Sequence, residues 1–553
     1  MGRSAAARCA TLAVVAVCAL TTSVVAPTTA GATQVPRSSA HRSPQVATGA
    51  PSGPSFTNPV SRGFADTFAD PSVIRGKDGW WYAFGTSDPL REGEGTAHRL
   101  PVARSADLVD WEHVGDAFTD ATLPTWAEPE AGLWAPDIRY VDGEYRLYYV
   151  VTETSVTPQS GDNAIGMATA PTPAGPWKDS GRPVVAPRPG GGANDFLWTF
   201  DPSVVTDRDG SQWIFYGSYY GGVFVAPLSP DGRQVTGAPT RVAIDNKFEG
   251  AYPWWHDGYW YLFVSTANCC AGPATGYSVQ VGRSRSLTGP YVDQQGASLT
   301  ASRAGGTPSL VQNGNRWIGA GHNAVVTDLA GQDWFAYHAI DRADPYLDGT
   351  DGINERPMLL DRLDWVGGWP LARAGRGPSE GPQPAPVTSG RSVSTPTDPA
   401  AGQRLDGRWR RGTDEAAATY LRSTGTASAT SRDAVKGPAR AEADLRSDGA
   451  AYGLALGSAR LTVDPARRTA TLRASGRQTT VTLPAAFAAE DWHSVTLRSD
   501  RRGWTAEVTH ARLSDPVAVL HLAPRGRGLS SKAQHSTVFA TGAGVGADNL
   551  SLL

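Results

Sequence analysis

The run ADPSVIRGKDGWWYAFGTS at residues 69–87 decides the reading of this chain, because its design recurs four more times. A short strand with an acidic residue near its start leads into an Asp-Gly turn and then a second strand rich in Trp, Tyr and Phe. The recurrences are APDIRYVDGEYRLYYVVT (135–152), FDPSVVTDRDGSQWIFYGS (200–218), FEGAYPWWHDGYWYLFVST (248–266) and GHNAVVTDLAGQDWFAYHAI (321–340), the last with Ala-Gly at the turn and a His in place of the acid. Asp-Gly between two strand-forming runs signals a hairpin, since Gly supplies the positive φ of a tight turn.

The polar residues that open the units are Asp70, Asp137, Asp201, Glu249 and His322. In four units this residue stands nine positions before the turn Gly; only Asp137, six before Gly143, departs. The successive separations of 67, 64, 48 and 73 residues leave room for a four-stranded sheet and its loops in each unit. Third-strand segments follow at a similar phase: PVARSADLVDWEHVG (101–115), IGMATAPTPAGPWKDSG (165–181), VFVAPLSPDG (223–232) and VQVGRSRSLTGPYVD (279–293). Repeats of this kind predict a five-bladed β-propeller over residues 61–374. A β-sandwich would also supply hairpins, but it leaves the recurring polar residue unexplained.

Outward from the propeller, the composition changes. Residues 402–553 carry alternating strands such as ARLTVD, TATLRA, TTVTLP and HSVTLRS, with few aromatics and many arginines, and predict a concanavalin-like β-sandwich. Such a module either binds a ligand or braces the propeller, and its few aromatics, which offer little for stacking, put bracing slightly ahead. The Pro-rich stretch 375–401 reads as a linker. Residues 1–32 combine Arg3 and Arg8, an apolar run from Leu12 to Leu20 and a small-residue Ala30-Gly31-Ala32 site, which reads as a secretory signal. Residues 33–60 read as a disordered leader. The chain is therefore expected to be secreted, all-β and monomeric.

A formal net charge of −3 in 553 residues provides no basic footprint for nucleic acid. No segment after the signal is long and apolar enough to span a membrane. Of the four cysteines, Cys9 and Cys18 lie in the signal. The adjacent Cys269 and Cys270 could pair with each other or stay reduced, and no CxxC metal motif exists.

In a propeller the innermost strands point at one axial channel, so the repeat phase gathers Asp70, Asp137, Asp201, Glu249 and His322 around a single cavity. Crowded carboxylates raise the pKa of at least one member. Glycosidic hydrolysis needs such a split: one protonated carboxyl for the leaving oxygen, and one ionised carboxylate for water or the sugar. Tyr252, Trp254 and Trp255 beside Glu249 favour its neutral form, whereas Asp70 lacks such cover. Trp134 and Trp198, close to these motifs, are the candidates for stacking on sugar rings; Trp80, Trp213 and Trp260 read as blade core.

On these motifs, ADPSV at Asp70, LWAPDI around Asp137, FDPSVV at Asp201 and FEGAY at Glu249, the stretch from Phe64 to Pro370 resembles the family 43 glycoside hydrolases. The resemblance implies an inverting mechanism with Asp70 as general base, Glu249 as general acid and Asp201 orienting Glu249 and raising its pKa. The segment VSTANCCAGPATGYSVQVGRSRSLTGPY (264–291) and GHNAV at His322 are similar to their counterparts in family members that cut α-1,5-linked arabinan. There a His at this point helps hold one cation, often calcium, on the channel axis; no organic cofactor is implied. The substrate so implied is arabinan or a related plant cell-wall polysaccharide, cut internally. An exo-acting α-L-arabinofuranosidase or β-xylosidase is the alternative within the fold, and a non-catalytic carbohydrate-binding propeller the alternative outside it.

Overall fold

The computed structural model describes residues 53–192, 195–314, 316–349, 352–524 and 532–553. The signal and residues 33–52 of the leader lie outside the described residues. Five antiparallel sheets of four strands each follow one another along the chain, as the repeat predicts. Blade one comprises Ser72–Arg75, Trp81–Phe84, Pro101–Ser105 and Trp111–Asp116. Blade two comprises Leu133–Val141, Glu144–Val151, Ala164–Ala170 and Lys178–Asp179. Blade three runs through Ser203–Thr206, Gln212–Tyr216, Val223–Pro227 and Thr240–Ala243. Blade four has Phe248–His256, Tyr259–Thr266, Ser278–Ser284 and Thr307–Leu310. Blade five has Trp317–Thr327, Asp333–Asp341, Met358–Val366 and Trp369–Ala372.

The turns explain why these hairpins form where they do. Asp142-Gly143 and Asp257-Gly258 have both residues at positive φ (52° and 78°; 45° and 86°), the mirror-image turn whose twist matches that of the paired strands. Between neighbouring blades, the aromatic second strands pack into five apolar layers. Ile74, Tyr82 and Phe84 of blade one meet Ile138, Tyr140 and Leu147 of blade two, for example. On the other face of blade one, Trp81 and Ala83 meet Ala336 and Leu360 of blade five. The first strands of successive blades lie against one another, and that of blade five lies against that of blade one, which closes the ring.

Two readings of the flanking segments need correction. Residues 53–60, assigned to the disordered leader, are ordered: Ser55–Phe56 pairs with Gln383–Pro384, and Phe56 is buried. Asn58 accepts the Leu360 N–H at 2.9 Å and donates to the Leu360 carbonyl at 3.1 Å, so the N-terminal segment clasps blade five just before it enters blade one. The stretch 375–401 is likewise a fixed strap. Ser379 N–H donates to Asp361 at 3.0 Å, Val387 N–H donates to Asp328 at 3.0 Å, and Ser394 N–H donates to the Leu550 carbonyl at 2.8 Å. Its prolines lack donors, but the groups that hold it lie elsewhere in the sequence, where composition does not reveal them.

Beyond the strap, the strands from Gln403–Asp414 to Ala543–Leu552 form the sandwich around a core that includes Leu445, Leu461, Val495 and Val508. The hairpin turn of blade one plugs into it. Lys77, 1% exposed, donates to Asp444 at 3.1 Å, to Ser494 at 3.1 Å and to the His510 carbonyl at 2.6 Å. Beside it, Glu442 receives Arg512 at 3.0 Å and Arg440 at 2.5 Å. Tyr420 and Trp492 of the sandwich continue the apolar layer between blades one and two.

Candidate active site

Each first strand, or the residues leading into it, carries a left-handed position near the axis: Asp70 (φ 53°), Ala135 (46°), Asp201 (56°), Gly250 (56°) and His322 (50°). Such a φ is costly for a residue with a Cβ and persists only where surrounding contacts hold it. These five are the structural equivalents, which refines the phase read from the sequence. Asp70, Asp201 and His322 share the position. Glu249 precedes it by one residue, on a register shift between Glu249 and Tyr252. Asp137 follows it by two, at the level of Ser72 and Ser203.

That offset places Asp137 lower on the axis, where it still lines the axial cavity. Its carboxylate, 2% exposed, receives Arg139 through two bonds of 2.8 and 2.7 Å and the Val204 N–H at 2.8 Å. It ties blade two to blade three beneath the site, as Ser72 ties blade one to blade two by accepting the Ile138 N–H at 3.1 Å.

Asp70 is held from several sides. Thr86 donates its hydroxyl to Oδ2 at 2.6 Å, and itself accepts the Ala135 N–H at 2.9 Å. Oδ1 faces Nδ1 of His322 and of His338 at 3.2 Å each, with Arg356 at 3.9 Å. Burial alone would raise the Asp70 pKa, but the charges of His322 and Arg356 outweigh it and hold the carboxyl well below the usual range. His338 accepts the Asp70 N–H on Nδ1 at 3.2 Å, and burial drives its own pKa down to about 4, so it is a neutral ring.

Glu249 is driven the other way. Burial first, then the charge of Asp201, push its carboxyl from 4.5 up to about 7, against the opposing pull of Tyr277, His322 and Ser218. Ser218 donates to Oε2 at 3.0 Å. Asp201, itself raised chiefly by burial, accepts the Gly250 N–H on Oδ2 at 2.8 Å and so rests on the backbone beside Glu249. The expected cover from Tyr252, Trp254 and Trp255 is not the cause: Tyr252 and Trp254 pack into the layer between blades four and five, and Trp255 packs between blades three and four. Neighbours in a strand are not neighbours in space.

His322 binds the group together electrostatically. Burial lowers its pKa, but Asp70, Asp201 and Glu249 raise it more, giving a net rise. Its backbone N–H donates to Ser265 at 2.9 Å. Gly321 lets Tyr277 approach: a Cβ there would meet the Tyr277 ring at 2.3 Å. Below these side chains lies an axial cavity of about 20 Å³, lined by Asp70, Asp201, His322 and Asn323 among others.

Trp134 and Trp198 stand at the surface, 40% and 41% exposed. Phe200 links them, edge-on to Trp134 at 6.0 Å and stacked with Trp198 at 5.6 Å, and Tyr219 extends the row at 6.4 Å from Trp198. Thr86, Ser218 and His338 lie within the quoted repeat units, near the far ends of the second strands, and Tyr277 and Arg356 lie outside them; the reading of the opening residues singled out none of the five. They come from second strands and loops, and only the closed ring brings them to the axis. Cys269 and Cys270 are joined to each other as a disulfide.

The sequence model for "Glycosyl hydrolases family 43" matches residues 56–370, more than half of the chain. The chain belongs to glycosyl hydrolase family 43. Relatives of this family 43 hydrolase include the extracellular endo-α-(1→5)-L-arabinanase 1 of Bacillus subtilis, 33% identical over 54% of this chain and 86% of the relative. The extracellular exo-α-(1→5)-L-arabinofuranosidase ArbA of Cellvibrio japonicus is 31% identical over 54% of this chain and 85% of the relative. Among solved structures, a Cellvibrio cellulosa α-L-arabinanase complexed with arabinohexaose matches 55% of this chain and 95% of its own, with 28% identity and a TM-score of 0.46. The matched region of the family 43 hydrolase ends in the last strand of blade five, so the sandwich lies outside it.

Proposed function

We propose that this glycoside hydrolase is secreted and cleaves α-1,5-linked L-arabinofuranosyl bonds of arabinan with inversion of configuration. The observation that carries the reading is the opposite electrostatic bias of two carboxyls on one axis: Asp70 is held ionised, and Glu249 holds its proton to about pH 7. Asp70 takes a proton from water as the water oxygen bonds to the anomeric carbon. Glu249 delivers its proton to the departing glycosidic oxygen, so one proton is gained and one lost across the pair. Thr86 and Arg356 orient Asp70, and Asp201 keeps Glu249 protonated. Trp134, Phe200 and Trp198 offer flat faces to the sugars flanking the bond.

Both amide atoms of Asn323 are buried without a protein partner beside the axial cavity, whose volume of about 20 Å³ admits a bare ion or a single water. His322 and Asn323 would hold the ion, with water completing an oxygen-rich shell suited to calcium. When bound, such an ion adds positive charge on the axis.

Both relatives act on α-(1→5)-linked L-arabinose units by name, one as an endo- and one as an exo-enzyme. We favour internal cleavage, on the similarity of residues 264–291 to arabinan-cutting members. Products released from debranched arabinan over time test this: mixed oligomers appear early under the proposal, and a single sugar from the start supports the exo reading. Proton NMR of the first-formed reducing ends tests inversion, which predicts the β-anomer; the α-anomer first would refute it.

A further inference from the structure

Blade one carries a second cluster of titratable side chains that the hydrolytic site does not use. His98 lies just before the strand Pro101–Ser105, and His113 and Asp116 lie on the strand Trp111–Asp116. Two imidazole nitrogens converge on one carboxylate oxygen: His98 Nδ1 lies 2.8 Å and His113 Nε2 3.2 Å from Asp116 Oδ1. All three ligand atoms lie within 4.8 Å of one another. Around a tetrahedral zinc ion with bonds of roughly 2.0–2.1 Å, neighbouring ligand atoms stand about 3.3 Å apart, so the three atoms already approximate edges of such a shell.

The surroundings orient these atoms. His98 Nε2 pairs with Glu94 Oε1 at 2.9 Å, and Glu94 is fixed in turn by the Leu90 and Arg91 N–H groups at 2.7 and 3.1 Å. A carboxylate on the far nitrogen of a ligating His sets its tautomer and ring orientation. His98 thus stands between two carboxylates, Glu94 and Asp116, which favour a cation at this point: the protonated ring itself, or a metal ion that displaces the Nδ1 proton. Asp116 Oδ2 accepts the Arg99 N–H at 2.9 Å and also lies 3.0 Å from His98 Nδ1, while Oδ1 faces both rings. The side chains of His98, Asp116 and His113 are 18%, 21% and 30% exposed, so an ion and a water can reach them.

We propose that His98, His113 and Asp116 form a binding site for one divalent transition-metal ion of the zinc class, with water as fourth ligand and Glu94 as positioning residue. Two imidazoles and one carboxylate suit zinc better than calcium, which prefers an all-oxygen shell. The ion would anchor the loop that runs back to the catalytic centre. His98 N–H donates to the Asp88 carbonyl at 3.2 Å, and the Asp88 carboxylate accepts Arg356 at 3.0 Å, the same guanidinium that lies 3.9 Å from Asp70.

The test is zinc binding by the full chain after chelator treatment, read by calorimetry and by metal content after gel filtration. One zinc per chain is expected in the wild type and in His322→Ala, and none at this site in His113→Ala or Asp116→Asn. Glu94→Gln should bind roughly 10- to 100-fold more weakly. Cobalt in the wild type provides a readout that needs no variant: intense visible bands of a four-coordinate ion are expected. Weak six-coordinate bands, or zinc retained equally by wild type and His113→Ala, would overturn the proposal.

Discussion

Replacing Asp201 with Asn isolates the interaction on which the acid's protonation depends. Asparagine keeps an oxygen to accept the Gly250 N–H, seen at 2.8 Å, and removes only the charge. Glu249 rises from 4.5 to about 7, with burial as the larger cause and Asp201 the second. A nearby like charge shifts a carboxyl by on the order of one pH unit, ~1.4 kcal/mol. Because kcat/KM reports ionisations of the free enzyme, the alkaline limb of its pH profile should fall near 7 in the wild type and about one unit lower in Asp201→Asn. The assay is the initial rate on a linear arabino-oligosaccharide across pH, with circular dichroism to verify folding. An alkaline limb that stays in place or moves upward would refute the assignment.

Other consequences follow from the same contacts. A carboxyl whose pKa is higher folded than unfolded favours the folded state below the unfolded value and loses that contribution as pH rises through the folded one. Glu249→Gln should therefore raise the melting temperature relative to wild type at pH 8 but not at pH 4, with a stability difference on the order of 3 kcal/mol. Lys77→Met should leave Asp444 buried without its cation, lowering stability by roughly 3–5 kcal/mol in denaturant titration. Trp198→Ala should raise KM several-fold, about 1 kcal/mol, with little change in kcat if the ring only binds sugar.

The five hairpins and the all-β architecture were legible because each rests on local chemistry: an Asp-Gly turn, Ala-Gly in blade five, and an aromatic second strand within about twenty residues. Asp70, Asp201 and His322 were legible as a set because the ring repeats their backbone position. Asp137 joins them on the axial cavity, but its level, two residues further along the strand, was not legible, because a motif does not record the level at which a carboxylate faces its neighbours. Burial was rightly expected to raise the Glu249 pKa, but its neighbours were not legible: adjacent tryptophans alternate into separate layers, while Asp201, which raises it further, arrives from another blade. The clasp by Asn58 and the buried Lys77–Asp444 pair span 302 and 367 residues, distances at which composition conveys nothing.

The central claim is that Asp70 and Glu249 perform the two proton transfers of one hydrolytic step. Reducing-sugar release from debranched arabinan by Asp70→Asn and Glu249→Gln, measured beside oligosaccharide binding by calorimetry, tests it most directly. The account predicts near-complete loss of turnover in both variants with binding retained. Undiminished turnover in either would contradict it.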